Sequence, residues 1–172
     1  MPAPHRQIRT RRTVLVVVEG DTEFAFCRYL KAVGARGRNI QITIRNAHGG
    51  SPDRIVEFAR RQIRWSAFDR VVIVFDDDKE LSTKGEKAVR GIRAQVFRFQ
   101  PCIEGFFLRL MGRPVPDDSS VCKRDFHRHG LDESSKLEHD AYASLFPEGR
   151  FGFLREDPQF ADLWAVFTNT TP

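Results

Sequence analysis

The sequence contains few cysteines and no long apolar run. Cys27, Cys102 and Cys122 are odd in number and form no C-x-x-C pair, which argues against a disulfide framework and a zinc ribbon. The longest apolar run, Val14–Val18, is far shorter than the roughly 20 residues of a membrane-spanning helix. It is also too short for the apolar centre of a signal peptide. We therefore expect a cytoplasmic protein with reduced thiols and no membrane partner.

The sequence also lacks a Walker motif. The turn Gly49–Ser51 precedes a predicted helix, but it has no P-loop lysine. Any dependence on ATP would therefore have to come from a separate ATPase subunit.

Positive charge is concentrated in the first third of the chain. Residues 1–64 carry 13 basic and 5 acidic side chains, whereas residues 65–172 carry 15 and 18. Of the 28 basic residues 22 are arginine, which favours bidentate contacts with phosphate. Arginine-rich composition also arises from a GC-rich genome, so the charge permits nucleic-acid binding without proving it.

Strand and helix patterns alternate along residues 13–111. Apolar runs predict strands, and amphipathic segments that follow them predict helices. The predicted strands are Thr13–Val18, Ile40–Ile44, Arg70–Phe75 and Gln95–Phe99, and the helices end near Gly34, Ser66, Arg93 and Met111. This alternation predicts an α/β fold, doubly wound, with a mainly parallel four-stranded sheet and helices on both faces.

The remaining residues, 112–172, predict a helical extension of the same domain, so that residues 1–172 form one domain. Its helices are predicted at about Ser120–His129, Ser135–Phe146 and Pro158–Phe167. The aromatic residues of this extension are assigned to the core in preference to a base-stacking platform, and a dimer face stays open as an alternative.

Acidic side chains follow three of the four predicted strands. The first strand leads to Glu19 and Glu23, the third to Asp76 and Asp78, and the fourth to Glu104 in the next helix. In an open parallel sheet, functional groups gather beyond the carboxyl ends of the strands. Five carboxylates in one region would repel one another, and hard oxygen ligands with no Cys/His set favour Mg²⁺ or Mn²⁺.

Each acidic residue also has a purely structural interpretation. Asp21 and Asp77 are at positions where helix caps or turns are common, and Glu23 and Glu104 are favourable in the first turn of a helix. The joint placement of Glu-Gly after one buried strand and Asp-x-Asp after another favours a functional site.

Four segments of the chain resemble a known family. The runs VLVVVEGDTE (Val14–Glu23) and VVIVFDDDK (Val71–Lys79) resemble the TOPRIM superfamily, whose signature is Glu after strand one and Asp-x-Asp after strand three. With the segment PCIEGFFLRL (Pro101–Leu110) and the later CKR (Cys122–Arg124), the sequence is similar to the RloB-type proteins, which are related to the OLD-family nucleases.

This resemblance implies metal-dependent cleavage of phosphodiester bonds. It implies that Glu19 acts as a general acid/base or metal ligand and that Asp76 and Asp78 hold the catalytic Mg²⁺. Glu23 and Glu104 would complete a second metal site. It further implies a bacterial defence or restriction-associated setting, such as phage defence, beside an ATPase partner.

Further residues are candidates for contact with the substrate. By analogy with OLD-like sites, Lys123 would stabilise the pentacovalent phosphate, although a lone helix lysine is commonly only a solvated charge. His48 follows the second strand, where it could touch substrate or bond only to backbone. The proposed nucleic-acid contacts are His48, Arg9, Arg11, Arg12, Arg54, Arg61 and Arg64.

Two functions of different classes remain open at the level of sequence. The first is a Mg²⁺-dependent TOPRIM-type nuclease acting on DNA or RNA, and the second is a non-catalytic module that binds nucleic acid or regulates an ATPase. A homodimer is a further possible assembly. A HAD-like phosphatase is less consistent with the sequence, because that fold places Asp-x-Asp after its first strand, followed by Thr or Val. Lys79 and Glu80 occupy that stretch here.

Overall fold

A computed structural model describes residues 11–170 of the chain. Its centre is a four-stranded sheet in the order β2-β1-β3-β4, and all three neighbouring pairs are parallel. The strands are β1 (Arg12–Val18), β2 (Ile40–Asn46), β3 (Arg70–Asp76) and β4 (Gln95–Phe99). Strands β1 and β3 lie side by side at the centre and are buried on both faces, which explains their nearly continuous apolar sequences.

Helices cover both faces of this sheet. Helices α2 (Pro52–Trp65) and α3 (Thr83–Gly91) cover one face, where they pack on Leu15 and Val17 of β1. Helices α1 (Asp21–Gly34) and α4 (Ile103–Leu110) cover the other, where they pack on Val14, Val16 and Val18. The predicted α/β class and doubly wound arrangement are confirmed.

The C-terminal part is helical and packs against the face covered by α1 and α4. It contains α5 (Ser119–His129), α6 (Tyr142–Leu145), α7 (Phe151–Leu154) and α8 (Pro158–Thr168). Phe107 of α4 contacts Phe126 of α5 and Tyr142 of α6, with ring centroids 5.1 and 5.5 Å apart. The aromatic residues of the extension therefore belong mainly to the core. No helix within residues 11–170 combines the length and the apolar character that crossing a bilayer requires.

One predicted helix is wrong. In place of a continuous helix over Ser135–Phe146, the chain forms two 3₁₀ turns, Ser135–Leu137 and His139–Ala141, and then the short α6. The Asp132 carboxylate accepts hydrogen bonds from the N–H groups of Ser134 and Ser135 and holds a local turn. Glu138 then adopts an extended backbone, with ψ of 116°, which interrupts helical hydrogen bonding.

Two other helices differ from the prediction. The sequence predicts that the fourth helix opens at Pro101, but α4 begins at Ile103, after the N-cap residue Cys102. The four-residue α7, between Pro147 and Pro158, was not predicted. Its four residues make barely more than one helical turn, so they are too few for an amphipathic pattern to be recognised in the sequence.

The strand register places two acidic residues at one edge of the sheet. Val18 is opposite Val74, so Glu19 follows directly beyond the last β1–β3 pair, and Asp76 is opposite Phe99 at the end of β3. The N–H of Glu19 donates to the carbonyl of Val74 at 3.0 Å. The carboxyl edge of the sheet therefore carries Glu19 and Asp76 on adjacent strands.

The packing of the extension yields a test of the fold. Phe107 is fully buried among rings from α1, α4, α5 and the residues around α6, so we expect Phe107→Ala to lower the free energy of unfolding by about 3–5 kcal/mol. Phe153→Ala is the control, because Phe153 is 58% exposed and its loss should change stability by less than about 0.5 kcal/mol. Urea denaturation measures both. Equal effects of the two substitutions would contradict the described packing.

Candidate metal centre

Glu19 joins the ends of the two central strands. It follows β1 directly, and its Oε2 accepts a hydrogen bond from the N–H of Asp76 at 3.1 Å. Its side chain therefore spans from β1 to the last residue of β3. This confirms the expected proximity of the Glu-Gly turn and the Asp-x-Asp segment.

Asp76 in turn joins β3 to the start of α4. Its Oδ1 accepts a hydrogen bond from the N–H of Ile103 at 2.9 Å, where the first N–H groups of the helix have no partner within the helix. This contact brings Glu104 into the same region. One ligand atom each from Asp76, Cys102 and Glu104 lies within 4.8 Å of the other two.

Glu23 and Glu104 are the most buried acids of the group. They are 5% and 2% exposed, respectively. Glu23 Oε2 accepts a hydrogen bond from the N–H of Gly20 at 3.1 Å, so it also caps α1 as the structural interpretation predicts. Glu104 differs, because its Oε2 is buried and finds no hydrogen-bond partner in the part of the chain that is described. A role at a helix terminus does not explain that oxygen.

Burial and mutual repulsion raise the pKa values of these carboxyls. Burial, together with the negative charges of Glu23, Glu104 and Glu19, raises the pKa of Asp76 to about 9. Burial and the charges of Glu104 and Glu19 raise the pKa of Glu23 to about 7. The pKa of Glu19 is raised mainly by burial, against the hydrogen bond from Asp76. The group therefore holds protons or needs a compensating cation near neutral pH.

Two lysines bring positive charge to the group. Lys123 lies on α5, and although burial lowers its pKa, the charges of Glu104 and Asp76 outweigh this effect and raise it. Lys136 Nζ is 3.7 Å from Glu104 Oε1 and 2.9 Å from Glu133 Oε2. The sequence analysis missed Lys136, because it lies 32 residues beyond Glu104 in a segment predicted as regular helix. Only the tertiary packing brings it to the acids.

Cys102 corrects the expectation that no cysteine belongs to this region. It is the N-cap residue of α4 and is fully buried. Burial and the charge of Glu104 raise its pKa to about 12, so it is a neutral thiol at physiological pH and a poor ligand in that form. Oxygen remains the main donor type of the site.

Asp78 and His48 lie at the same edge but are exposed. The charge of Asp78 contributes to the raised pKa of Glu19, which places Asp78 near that carboxylate. His48 belongs to the loop after β2, where the N–H of the next residue, Gly49, donates to the carbonyl of Glu19 at 2.7 Å. The structure therefore brings both predicted residues near Glu19, on the solvent side.

The predicted arginine contacts do not form one track at this edge. Arg54 is in the first turn of α2 and lies near the carboxyl edge, whereas Arg61 and Arg64 are in its last two turns, toward the opposite edge. Arg12 begins β1 and Arg11 precedes it, so both are about 20 Å from Glu19 along a seven-residue strand. Arg9 lies outside the described residues.

The donor set fits a hard divalent cation. Carboxylates that follow the three neighbouring strands β1, β3 and β4 face one region, and the buried Glu104 Oε2 has no hydrogen-bond partner among residues 11–170. Mg²⁺ and Mn²⁺ prefer such oxygen ligands and retain water at their remaining positions. Asp76 and Glu104 would hold the ion, and Glu23 and Glu19 lie close enough for their charges to raise the pKa of Asp76.

The raised pKa values predict how stability depends on pH in the absence of metal. The pKa of Asp76 is 3.8 in the unfolded chain and about 9 in the folded protein. The pKa of Glu23 is 4.5 in the unfolded chain and about 7 in the folded protein. Between these limits the folded state binds more protons, so the free energy of unfolding falls as pH rises.

We therefore expect the Tm in EDTA to fall by roughly 5 °C or more between pH 5.5 and pH 8.5. The matched variant is Asp76→Asn, which removes the most strongly shifted group and should flatten this dependence. Differential scanning calorimetry provides the measurement. A wild-type Tm that stays constant or rises over this interval would contradict the assignment.

Comparison with known proteins agrees with the sequence resemblance at the level of family. No curated protein and no solved structure matches the chain significantly. The family model of the RloB-like proteins matches residues 14–145, which include most of β1, all of β2, β3 and β4, and the acidic residues from Glu19 to Glu104. The chain therefore belongs to the RloB-like protein family.

Proposed function

We propose that the protein is a Mg²⁺- or Mn²⁺-dependent nuclease that hydrolyses phosphodiester bonds of DNA or RNA. The buried carboxylate group at the carboxyl edge carries this proposal, above all the unpartnered Oε2 of Glu104 beside Asp76. Such a group is electrostatically unfavourable unless a cation or protons compensate its charge. The motif resemblance to the TOPRIM superfamily supports the same chemistry.

The residues of the site have separable roles in this reaction. Asp76 and Glu104 would hold the ion, and Glu23 and Asp78 would be available as further oxygen ligands. The bound cation would polarise the scissile phosphate and lower the pKa of a water molecule. Glu19, whose pKa is raised mainly by burial, would accept a proton from the attacking water as the general base.

Lys123 supplies positive charge to the site. The negative charges of Glu104 and Asp76 outweigh the effect of burial and raise the pKa of its ammonium group, which therefore stays protonated. It is exposed on α5, so an incoming phosphate can reach it. Its role is to stabilise the negative charge that builds on the phosphate in the transition state.

The cellular setting follows only from the family resemblance. The resemblance to RloB-type proteins suggests that the protein acts in a bacterial defence or restriction-associated system with a separate ATPase subunit. A homodimer would be compatible with this arrangement. Substrate contacts near the site would come from His48 and Arg54, which lie at the carboxyl edge.

A non-catalytic binding module is the second candidate. Two contacts favour it: Asp76 Oδ1 caps α4 and Glu23 Oε2 caps α1, so both acids also have structural partners. In that case the acids would stabilise the fold and the protein would bind nucleic acid or an ATPase without cleaving. Metal-dependent cleavage distinguishes the two candidates.

The first prediction for this function concerns Glu19 and Asp76, with the neighbouring Asp77 as the control. We expect wild-type protein with Mn²⁺ or Mg²⁺ to cleave plasmid, single-stranded DNA or structured RNA, and Glu19→Gln and Asp76→Asn to reduce the rate about 100-fold or more. Asp77→Asn is the matched control, because Asp77 is exposed and lies 3.9 Å from Arg98. Gel assays with and without EDTA measure the rates. Cleavage that survives both site substitutions would refute the proposed site.

The second prediction separates Lys123 from the metal ligands. Lys123→Gln should slow cleavage about 100-fold while leaving the affinity for Mn²⁺, measured by electron paramagnetic resonance, within about twofold. Arg124→Gln is the control, because Arg124 is the exposed neighbour of Lys123 on α5. An unchanged rate for Lys123→Gln would show that this lysine is only a solvated charge.

A further inference from the structure

The edge of the sheet opposite the carboxylates is lined with arginine. Each strand begins with an arginine or is preceded by one: Arg38 before β2, Arg11 and Arg12 at β1, Arg70 at β3 and Arg93 before β4. Because parallel strands start at the same edge, these arginines form a row along it, but their side chains point to both faces of the sheet. Arg12 and Arg70 lie on the face that α8 covers, where Arg12 donates a hydrogen bond to Asn169 Oδ1 at 2.9 Å. Three inter-strand spacings of about 4.8 Å give the row a length of about 14 Å.

Few negative charges compensate this row. Asp69 lies on the edge, where its Oδ2 accepts hydrogen bonds from the N–H and hydroxyl of Thr13 at 2.7 and 3.0 Å. These hydrogen bonds and the charge of Arg12 lower the pKa of Asp69, so it contributes one negative charge. Burial and the positive charge of Arg12 lower the pKa of Arg70, and the negative charge of Asp162 on α8 opposes this effect. Two acids therefore face the five arginines, and the edge retains net positive charge.

An exposed tryptophan stands at the same edge. Trp65 is the last residue of α2, directly after Arg64, and residues 66–69 lead from it to the start of β3. Trp65 is 87% exposed, whereas tryptophan is usually among the most buried residues on average. Arg61 lies one helical turn before it, so Arg61 and Trp65 share one side of the helix.

We propose that this arginine edge, with Trp65, binds single-stranded nucleic acid. The contacts proposed for the strand are Trp65 and the exposed Arg11, Arg38, Arg64 and Arg93. Arg12 and Arg70 add positive charge but already donate hydrogen bonds to Asn169 and Gln95. Guanidinium groups bind phosphates of the strand, and the exposed indole stacks on an unpaired base. A duplex hides the faces of its bases in the helix, so the indole selects single strands.

This inference rests on the proposed function and deepens it, since it names the form of nucleic acid and a second contact surface. The arginine edge is about 20 Å from Glu19, the length of the seven-residue β1. It contains no residue of the carboxylate group. Binding there therefore requires no divalent ion.

The test measures binding in EDTA, where cleavage does not occur. We expect a 20-nucleotide oligothymidylate to quench the intrinsic fluorescence. The chain has two tryptophans, Trp65 and the half-buried Trp164, so the part of the quenching that Trp65→Ala abolishes is the part that reports on stacking at Trp65. Trp65→Ala should remove the quenching and weaken binding, measured by anisotropy of a labelled oligonucleotide, about 10-fold.

A charge variant tests the phosphate contacts separately. Arg11→Gln with Arg64→Gln should weaken binding and reduce the slope of log K against log salt by about 1.4, or about 0.7 for each lost contact. The matched control removes two exposed charges elsewhere, Lys87→Gln on α3 with Arg128→Gln on α5, and should leave the slope within about 0.3 of wild type. Circular dichroism verifies folding of all variants.

Three results would overturn the inference: unquenched fluorescence, unchanged affinity of Trp65→Ala, or equally tight binding of a 20-base-pair duplex. Failure of the nuclease proposal is distinguishable from these results. Intact oligonucleotide binding without any metal-dependent cleavage would contradict only the nuclease. Cleavage by a protein whose arginine-edge variants bind normally would contradict only the inference drawn from the edge.

Discussion

Three carboxyl groups that are largely withdrawn from water, those of Glu23, Asp76 and Glu104, meet where the central strands end and α4 begins. Their mutual repulsion and lost hydration oppose ionisation, which raises the pKa of Asp76 and Glu23. The fold tolerates this arrangement because two of the acids also cap helices. Glu104 has no such compensation for its Oε2, and a bound cation would relieve this cost directly.

The parallel topology makes the sheet electrostatically asymmetric. All four strands run in one direction, so the acids that follow the strands collect at one edge and the arginines that precede them collect at the other. The near-neutral balance of the sequence, +5 in 172 residues, conceals this separation. Under the two proposals above, a polyanion would be attracted to the arginine edge, whereas the carboxyl edge would accept phosphate once cations neutralise it.

The strands and the main site were predictable from local sequence. The buried runs around Val14–Val18 and Arg70–Phe75 indicated parallel strands, and parallel neighbours must bring Glu19 and Asp76 together. Lys136 and Cys102 were not found, because their contacts with Glu104 depend on how the C-terminal part packs. The exposure of Trp65 was also not predictable, since an amphipathic pattern does not show where a helix projects beyond its sheet.

The most direct test of the metal centre is the position of anomalous scattering from Mn²⁺ in a crystal of the protein. The account predicts a peak within ligand distance of carboxylate oxygens of Asp76 and Glu104, and its loss in Glu104→Gln crystals prepared in the same way. A well-ordered site without a peak, or a peak that is bound only elsewhere on the protein, would contradict the central claim that these acids are arranged to hold a divalent cation.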